Sequence, residues 1–294
     1  MGASGTACSL LLLLSTLIHG GHGGHFNHTH SHHMHPFTFD ETTITAMEAR
    51  SEHFYSLQKI ERKKDVGPDI SKLISRYPCI RGLMPVGTFD DGHKWVCGLH
   101  AIRGAPVIFS FGSFGQQDFE LDLLTLRPDA KVFIFEIMPE RVPKERDPRV
   151  SYYAVGLGGY PGTDKLINKD NQVKGAVMRS LSDLMLSCNV THIDVLKMDI
   201  EGFEFAWLKH EGRSTVPLIG QLLVEVHMKR SKSLFRPTIT EDAVWFVEQL
   251  EQLGLRLFSS EPNAGNPWAA VELGLLQSAW GQWDMTKTHR RLGA

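Results

Sequence analysis

No excess of basic charge marks this 294-residue chain: 31 Lys and Arg stand against 33 Asp and Glu. A balance of that kind gives no global field for nucleic acid, and none is expected as a partner. Cysteine is scarce. Among Cys8, Cys79, Cys97 and Cys188 no two form a Cys-x-x-Cys pair, which argues against a zinc ribbon or a thioredoxin-like site. No apolar run approaches the roughly 20 residues that a spanning helix requires. No Gly-x-Gly-x-x-Gly follows a strand-like run, and neither Tyr152 nor Tyr153 is followed by Lys at the fourth position. Both absences count against a nicotinamide-dependent oxidoreductase. What the chain does have is 42% hydrophobic residues, enough for a large core.

The N-terminus is organised in three pieces. Leu10 to Ile18 is a short apolar run followed by Gly20 and Gly21, so residues 1–21 read as a secretory signal peptide, although no Lys or Arg precedes the run. The expected location is the secretory lumen or the exterior, with membrane association only through this segment if it stays uncleaved. An oxidising compartment would let Cys79 and Cys97 pair; two small buried thiols are the alternative. Asn27-His28-Thr29 and Asn189-Val190-Thr191 are glycan-acceptor tripeptides compatible with that location. Residues 22–44 form a low-complexity linker. With His19 just before it, the tract holds His22, His25, His28, His30, His32, His33 and His35, and its imidazoles give weak metal affinity without fixed geometry. Residues 45–78 form a helical extension, with Met47, Phe54, Leu57 and Ile60 on one face, broken at Val66-Gly67-Pro68-Asp69.

Residues 79–294 are read as one catalytic domain. Past residue 100, short apolar runs alternate with amphipathic ones, the pattern of a parallel sheet with crossover helices. Strands are expected at Pro106–Gly112, Lys131–Ile137, Val150–Val155, Ile193–Asp199, Ile219–Val226, Leu255–Ser259 and Ala269–Leu276. Helices fit at Phe119–Leu126, Ser180–Leu186, Phe203–His210 and Glu241–Leu253. In such sheets ligands bind beyond the carboxyl ends of the strands. Those ends carry Gly112-Ser113-Phe114-Gly115, Glu136, Asp199-Ile200-Glu201-Gly202 and Glu225-Val226-His227. The glycines permit a tight turn and close ligand approach, and the helix after them offers free amides to a carboxylate. Glu136, 24 residues beyond Gly112, is placed to accept ribose hydroxyls. Structural roles compete with these: Glu136 as a solvated strand-end acid, Asp199 and Glu201 as helix caps, His227 as an ordinary histidine.

At Lys197-Met198-Asp199-Ile200-Glu201-Gly202-Phe203-Glu204 the sequence resembles the Lys-x-Asp-x-Glu-Gly-x-Glu motif of FkbM-type methyltransferases, in their eukaryotic branch with N-terminal export segments. Asp90-Asp91-Gly92-His93-Lys94-Trp95-Val96-Cys97 resembles that branch's Asp-Gly-Gly-x-x-x-Cys motif, with His93 in place of the second glycine. Ser180-Leu181-Ser182-Asp183-Leu184 and Gln221 to His227 resemble its pre-strand helix and fifth strand; the Asp-x-Gly-Ala-Asn run of bacterial relatives is absent. The resemblance covers about Cys79 to Gln277. It implies an α/β, Rossmann-like class I methyltransferase fold: a mostly parallel seven-stranded sheet, helices on both faces, and an antiparallel last strand. It also implies S-adenosylmethionine as donor and O-methylation of a small-molecule or glycan acceptor.

On this reading Gly112, Ser113, Gly115, Glu136 and Asp199 hold the cofactor. His227 is the first candidate for the base that takes the acceptor's proton, with Asp199 or Glu201 as the alternative. Glu204 orients the substrate or the helix after strand four. Asp199, Glu201 and Glu225 offer oxygens suited to Mg²⁺, but the spacing demands no ion, and no catalytic metal is expected. Two other functions remain open: a degenerate methyltransferase fold acting as a binding module, and, less favoured, the oxidoreductase.

Overall fold

The structure is a computed structural model, and it describes residues 73, 77, 79, 81–88, 93–143, 146–158, 162–167, 173–227, 240–263 and 270–278. The expected signal peptide, histidine tract and most of the helical extension lie outside the described residues, as does Asn27. No helix among the described residues is long and apolar enough to cross a membrane.

The described residues form twelve strands and four α-helices. The strands are β1 (Leu83–Val86), β2 (Lys94–Cys97), β3 (Val107–Phe111), β4 (Lys131–Phe135), β5 (Val150–Tyr153), β6 (Gly156–Leu157), β7 (Gly162–Ile167), β8 (Val173–Arg179), β9 (Ile193–Met198), β10 (Ile219–His227), β11 (Leu255–Pro262) and β12 (Ala270–Gln277). The helices are α1 (Asp118–Leu126), α2 (Leu181–Ser187), α3 (Glu204–Thr215) and α4 (Thr240–Gln252).

Seven strands form the main sheet, in the order β11-β12-β10-β9-β3-β4-β5. The β5-β4-β3-β9-β10 block is parallel, and β12 runs antiparallel to both β10 and β11. This is the Rossmann-like class I methyltransferase arrangement, with its antiparallel last strand. The expected strands and helices all occur, with bounds shifted by a few residues; the largest difference is α3, which continues to Thr215.

Alternation along the central strands serves both faces of the sheet, because successive side chains point opposite ways. Phe109 and Phe111 of β3, Leu196 and Met198 of β9, and Leu222 and Val224 of β10 pack in one apolar cluster with Trp207 of α3 and Phe246 of α4. Their neighbours Ile108, Val195 and Leu223 pack in a second cluster, with Phe119 and Leu123 of α1 and with Trp95 of β2. Burial on both faces explains why these strands carry apolar residues at successive positions.

Two elements were not expected. The first is the antiparallel β1–β2 hairpin, which packs into the second cluster. Cys97 at the end of β2 is disulfide-bonded to Cys79. The second is a small sheet, β6-β8-β7, inserted between β5 and α2. Helix α2 is capped at both levels: Ser180 Oγ accepts the Asp183 amide at 3.1 Å, and the carboxylate of Glu211 on α3 accepts the Leu181 amide at 2.6 Å.

Candidate functional site

The register of the central strands builds the site. Phe111 lies opposite Phe135 on one side and Met198 on the other. The residues that follow, Gly112, Glu136 and Asp199, therefore leave the sheet side by side. A cavity of about 630 Å³ opens there, beyond the carboxyl ends of β3, β4 and β9. That volume falls within the usual range for small-ligand sites, about 300–1,000 Å³.

One half of the cavity is a glycine turn. Gly112, Phe114 and Gly115 have φ of 75°, 51° and 84°. Left-handed backbone favours glycine, and Phe114 holds it only because its amide is tied down. That amide donates to Glu136 Oε2 at 2.7 Å, and Ser113 Oγ lies 3.3 Å from the same oxygen. Glu136 Oε1 accepts the Met138 amide at 3.0 Å. The Glu136 carboxylate is 2% exposed, and among the described residues it accepts from the Phe114 and Met138 amides and the Ser113 hydroxyl. Over the turn, the Arg141 guanidinium stands 3.8 Å from the Phe114 ring centroid. Helix α1 begins just beyond, but its first turn carries Asp118 and Glu120, both lining the cavity. Two acids thus share the space with the helix amides that were expected to receive a carboxylate.

The other half is rich in charge. Asp199, Glu201, Glu225, Lys94 and Lys197 all line it. Glu201 has φ 56° and Gly202 φ 102°, a tight turn that sends the chain into α3. Lys94 Nζ lies 2.8 Å from Glu272 and 3.9 Å from Glu225. Burial presses the Lys94 ammonium to lose its proton, but Glu272, Glu225 and Asp199 outweigh it and hold the pKa above its ordinary value. Glu225 is pushed up to about 10, first by burial and then by the charges of Glu272 and Asp199. Burial also raises Asp199, against the pull of Lys197, Lys94 and His227.

His227 stands at the end of β10. Its Nδ1 lies 3.1 Å from Oε1 of Glu204, a carboxylate at 0% exposure. Its Nε2 faces Glu201 Oε2 at 3.5 Å, Glu225 Oε1 at 3.5 Å and Asp199 Oδ1 at 3.7 Å. Burial lowers the imidazole's affinity for a proton, but Glu204, Glu225 and Asp199 together push it up to about 10.

Comparison with known families fits this geometry. A family described as "Methyltransferase domain" matches residues 74–277, more than half of the chain. The chain belongs to this methyltransferase-domain family. A search of curated proteins finds no match. Solved structures resemble the chain only at low similarity. TrmK of M. capricolum, in complex with S-adenosyl-homocysteine, is 8% identical with a TM-score of 0.37, over 61% of this chain and 65% of that one. The chain therefore spans somewhat less than two thirds of that protein's length. A fibrillarin pre-rRNA processing protein of Methanococcus jannaschii is 12% identical with a TM-score of 0.37, over 59% of this chain and 67% of that one. Magnesium protoporphyrin IX methyltransferase of Synechocystis PCC 6803, with bound SAM, is 10% identical with a TM-score of 0.36, over 60% and 71%. Similarity at that level carries no argument about substrate.

Within this methyltransferase-family chain, Gly112, Ser113, Glu136, Asp199 and Glu201 line one cavity, as their positions at strand ends implied. Gly115 closes the turn without lining it: a Cβ there would stand 2.7 Å from the Arg141 carbonyl oxygen. His227, read from sequence as the first candidate base, does not line the cavity; it stands one layer behind Asp199, Glu201 and Glu225. Sequence reasoning gave no role to Lys94. Its only signal was a place inside the Asp90–Cys97 motif, which does not reveal that the lysine folds over the sheet end.

Proposed function

We propose that this protein is an S-adenosylmethionine-dependent methyltransferase of the FkbM-like kind that methylates a hydroxyl acceptor, a small molecule or a glycan, in the secretory pathway. The observation that carries the reading is the union, in one cavity, of the Gly112–Gly115 turn and the amide-held Glu136 with the carboxylates of Asp199 and Glu201. The donor fits the first half. Gly112 and Ser113 line that half, and Glu136 Oε1, with the Met138 amide on one of its two lone pairs, has the other left for a ribose hydroxyl. When bound, the donor supplies an electrophilic methyl group on sulfur.

The chain's own work is orientation and proton handling. Alignment of acceptor oxygen, methyl carbon and sulfur provides much of the rate. Asp199 and Glu201 line the acceptor half and are placed to take the hydroxyl proton. With the hydroxyl proton on one of these carboxylates, the oxygen would take the methyl group and S-adenosylhomocysteine would leave. The paired Cys79 and Cys97 support an oxidising compartment, as does exposed Asn189 in its acceptor tripeptide.

Calorimetric titration of the full chain with S-adenosylmethionine and with NAD, beside Glu136→Ala, tests the reading. The expected result is binding of S-adenosylmethionine alone, weakened at least about tenfold in the variant, since hydrogen bonds to a charged group are worth about 1.5–3 kcal/mol each. Binding of NAD alone would overturn it. A folded protein silent to both would instead favour the non-catalytic binding module.

A further inference from the structure

We propose that Asp199, Glu201 and His227 form a binding site for a divalent first-row transition-metal ion, with Glu204 as the buried carboxylate that fixes the imidazole. One ligand atom from each of the three side chains lies within 4.8 Å of the others. The imidazole geometry carries the argument. An N–H···O hydrogen bond is usually about 2.7–3.2 Å long, and the three carboxylate oxygens around His227 Nε2 stand off at 3.5, 3.5 and 3.7 Å. Two ligands each about 2.1 Å from a common ion stand roughly 3.0–3.5 Å apart. The spacing around Nε2 is thus closer to that of ligands converging on an ion than to that of a hydrogen bond.

A second, independent observation concerns the groups around the ligands. His227 Nδ1 is taken by Glu204, so Nε2 is the nitrogen turned toward the cluster. A carboxylate that holds the inner nitrogen of a histidine is the usual support for a metal-bound imidazole. Glu204 is wholly buried, and its Oε2 has no hydrogen-bond partner among the described residues. Glu225, 7% exposed and lining the cavity, has His227 Nε2 at 3.5 Å and Lys94 Nζ at 3.9 Å. An unpaired buried carboxylate oxygen is costly, and an ion on the far side of the ring would offset part of that cost.

The donor set selects the ion. Imidazole with carboxylates suits Mn²⁺, Fe²⁺ or Zn²⁺, whereas Mg²⁺ takes oxygen ligands and keeps several waters. Asp199 and Glu201 also line the cavity, so the face of the ion away from His227 would be open to it. An acceptor oxygen ligated there would lose its proton more readily. Nothing in the chain's ion binding depends on the methyl-transfer reading, which can stand or fall alone.

The test uses the full chain with the eight histidines from His19 to His35 replaced by Gln, which removes the tract as a competing binder. Mn²⁺ is followed by electron paramagnetic resonance, and Zn²⁺ by competition with a chromophoric chelator. The expected result is one ion per chain, with affinity reduced at least about tenfold in both His227→Gln and Glu201→Gln, since loss of even a supporting group costs about 10–100-fold. The Glu201 side chain is 81% exposed, so its replacement leaves folding intact and keeps the test sound if the His227 variant misfolds. Absence of a stoichiometric site for either ion would overturn the proposal. So would affinity unchanged in Glu201→Gln. Titration of the same preparations with S-adenosylmethionine separates the two readings: donor binding without an ion site sinks this proposal alone, and an ion site without donor binding sinks only the transferase.

Discussion

Gly112 and Asp199 meet backbone to backbone: a Cβ on Gly112 would stand 1.6 Å from the Asp199 carbonyl oxygen. The contact joins the two halves of the cavity, because one residue begins the glycine turn and the other begins the acidic turn. Gly112→Ala must therefore push the turns apart as well as hold φ near 75°. Backbone strain of that kind costs about 1–3 kcal/mol before the overlap is relieved. We expect a lower melting temperature and loss of donor binding together. A variant with unchanged donor affinity would show that the two turns are not coupled.

Arg127 makes a separate prediction about stability. Its side chain is wholly buried and donates to the carbonyls of Leu99, Ile102 and Gly104 and to Asp129, fastening the end of α1 to the loop before β3. Arg127→Met keeps apolar bulk but strands those carbonyls. Asp129 keeps 28% of its side chain in solvent, so the loss comes from the stranded carbonyls, at about 1–3 kcal/mol for each unsatisfied group. The expected readout is a lower urea midpoint, with the slope of the transition unchanged.

Glu211 predicts a smaller effect. It accepts the Leu181 and Ser182 amides and the Ser182 hydroxyl, so a carboxylate from α3 sits at the positive end of α2. Glu211→Gln removes the charge but keeps one acceptor. A loss of about 1–2 kcal/mol is expected in equilibrium unfolding, with donor binding retained.

His192 gives a pH dependence. Its hydrogen bond to Asp194 raises the imidazole pKa above 6.5, and Nε2 lies 3.4 Å from Asp194 Oδ2. A pKa raised by folding adds stability that is fully present below the unfolded value and is lost as pH rises through the folded one. The group is partly solvated, so the gain stays under about 1 kcal/mol. The stability lost in His192→Asn should therefore be larger at pH 5.5 than at pH 8.5, measured by urea unfolding. A difference of the opposite sign would rule out the ion pair.

The main sheet was legible in the sequence because its central strands are buried on both faces, and apolar residues at successive positions, as in Val107–Phe111 and Ile219–Val226, follow from that. The polar residues that ended those runs were equally plain, and Glu136 and Asp199 fall where that reading put them. The β1–β2 hairpin was not legible. It contains Pro85 and a buried Lys94, both poor signals for a strand, and its partners across the fold are Gln221 and Glu272. Nor could the depth of His227 be read: β10 runs through His227, so the ring lies behind the turn that carries Glu201. Which of two neighbouring acids faces a cavity depends on turn geometry, and spacing along the chain does not encode it.

The bond between Cys79 and Cys97 bears on how much slack the wall of the cavity has. Cys97 lies three residues past Lys94, the lysine that stands over the carboxylates, and the bond fastens that strand to the chain ahead of the hairpin. With both thiols reduced, the Gln221 hydrogen bonds and the Lys94–Glu272 pair would still hold β2 over the acids. Closing the bond removes slack from the chain ahead of the hairpin, and so tightens a wall of the cavity that already stands.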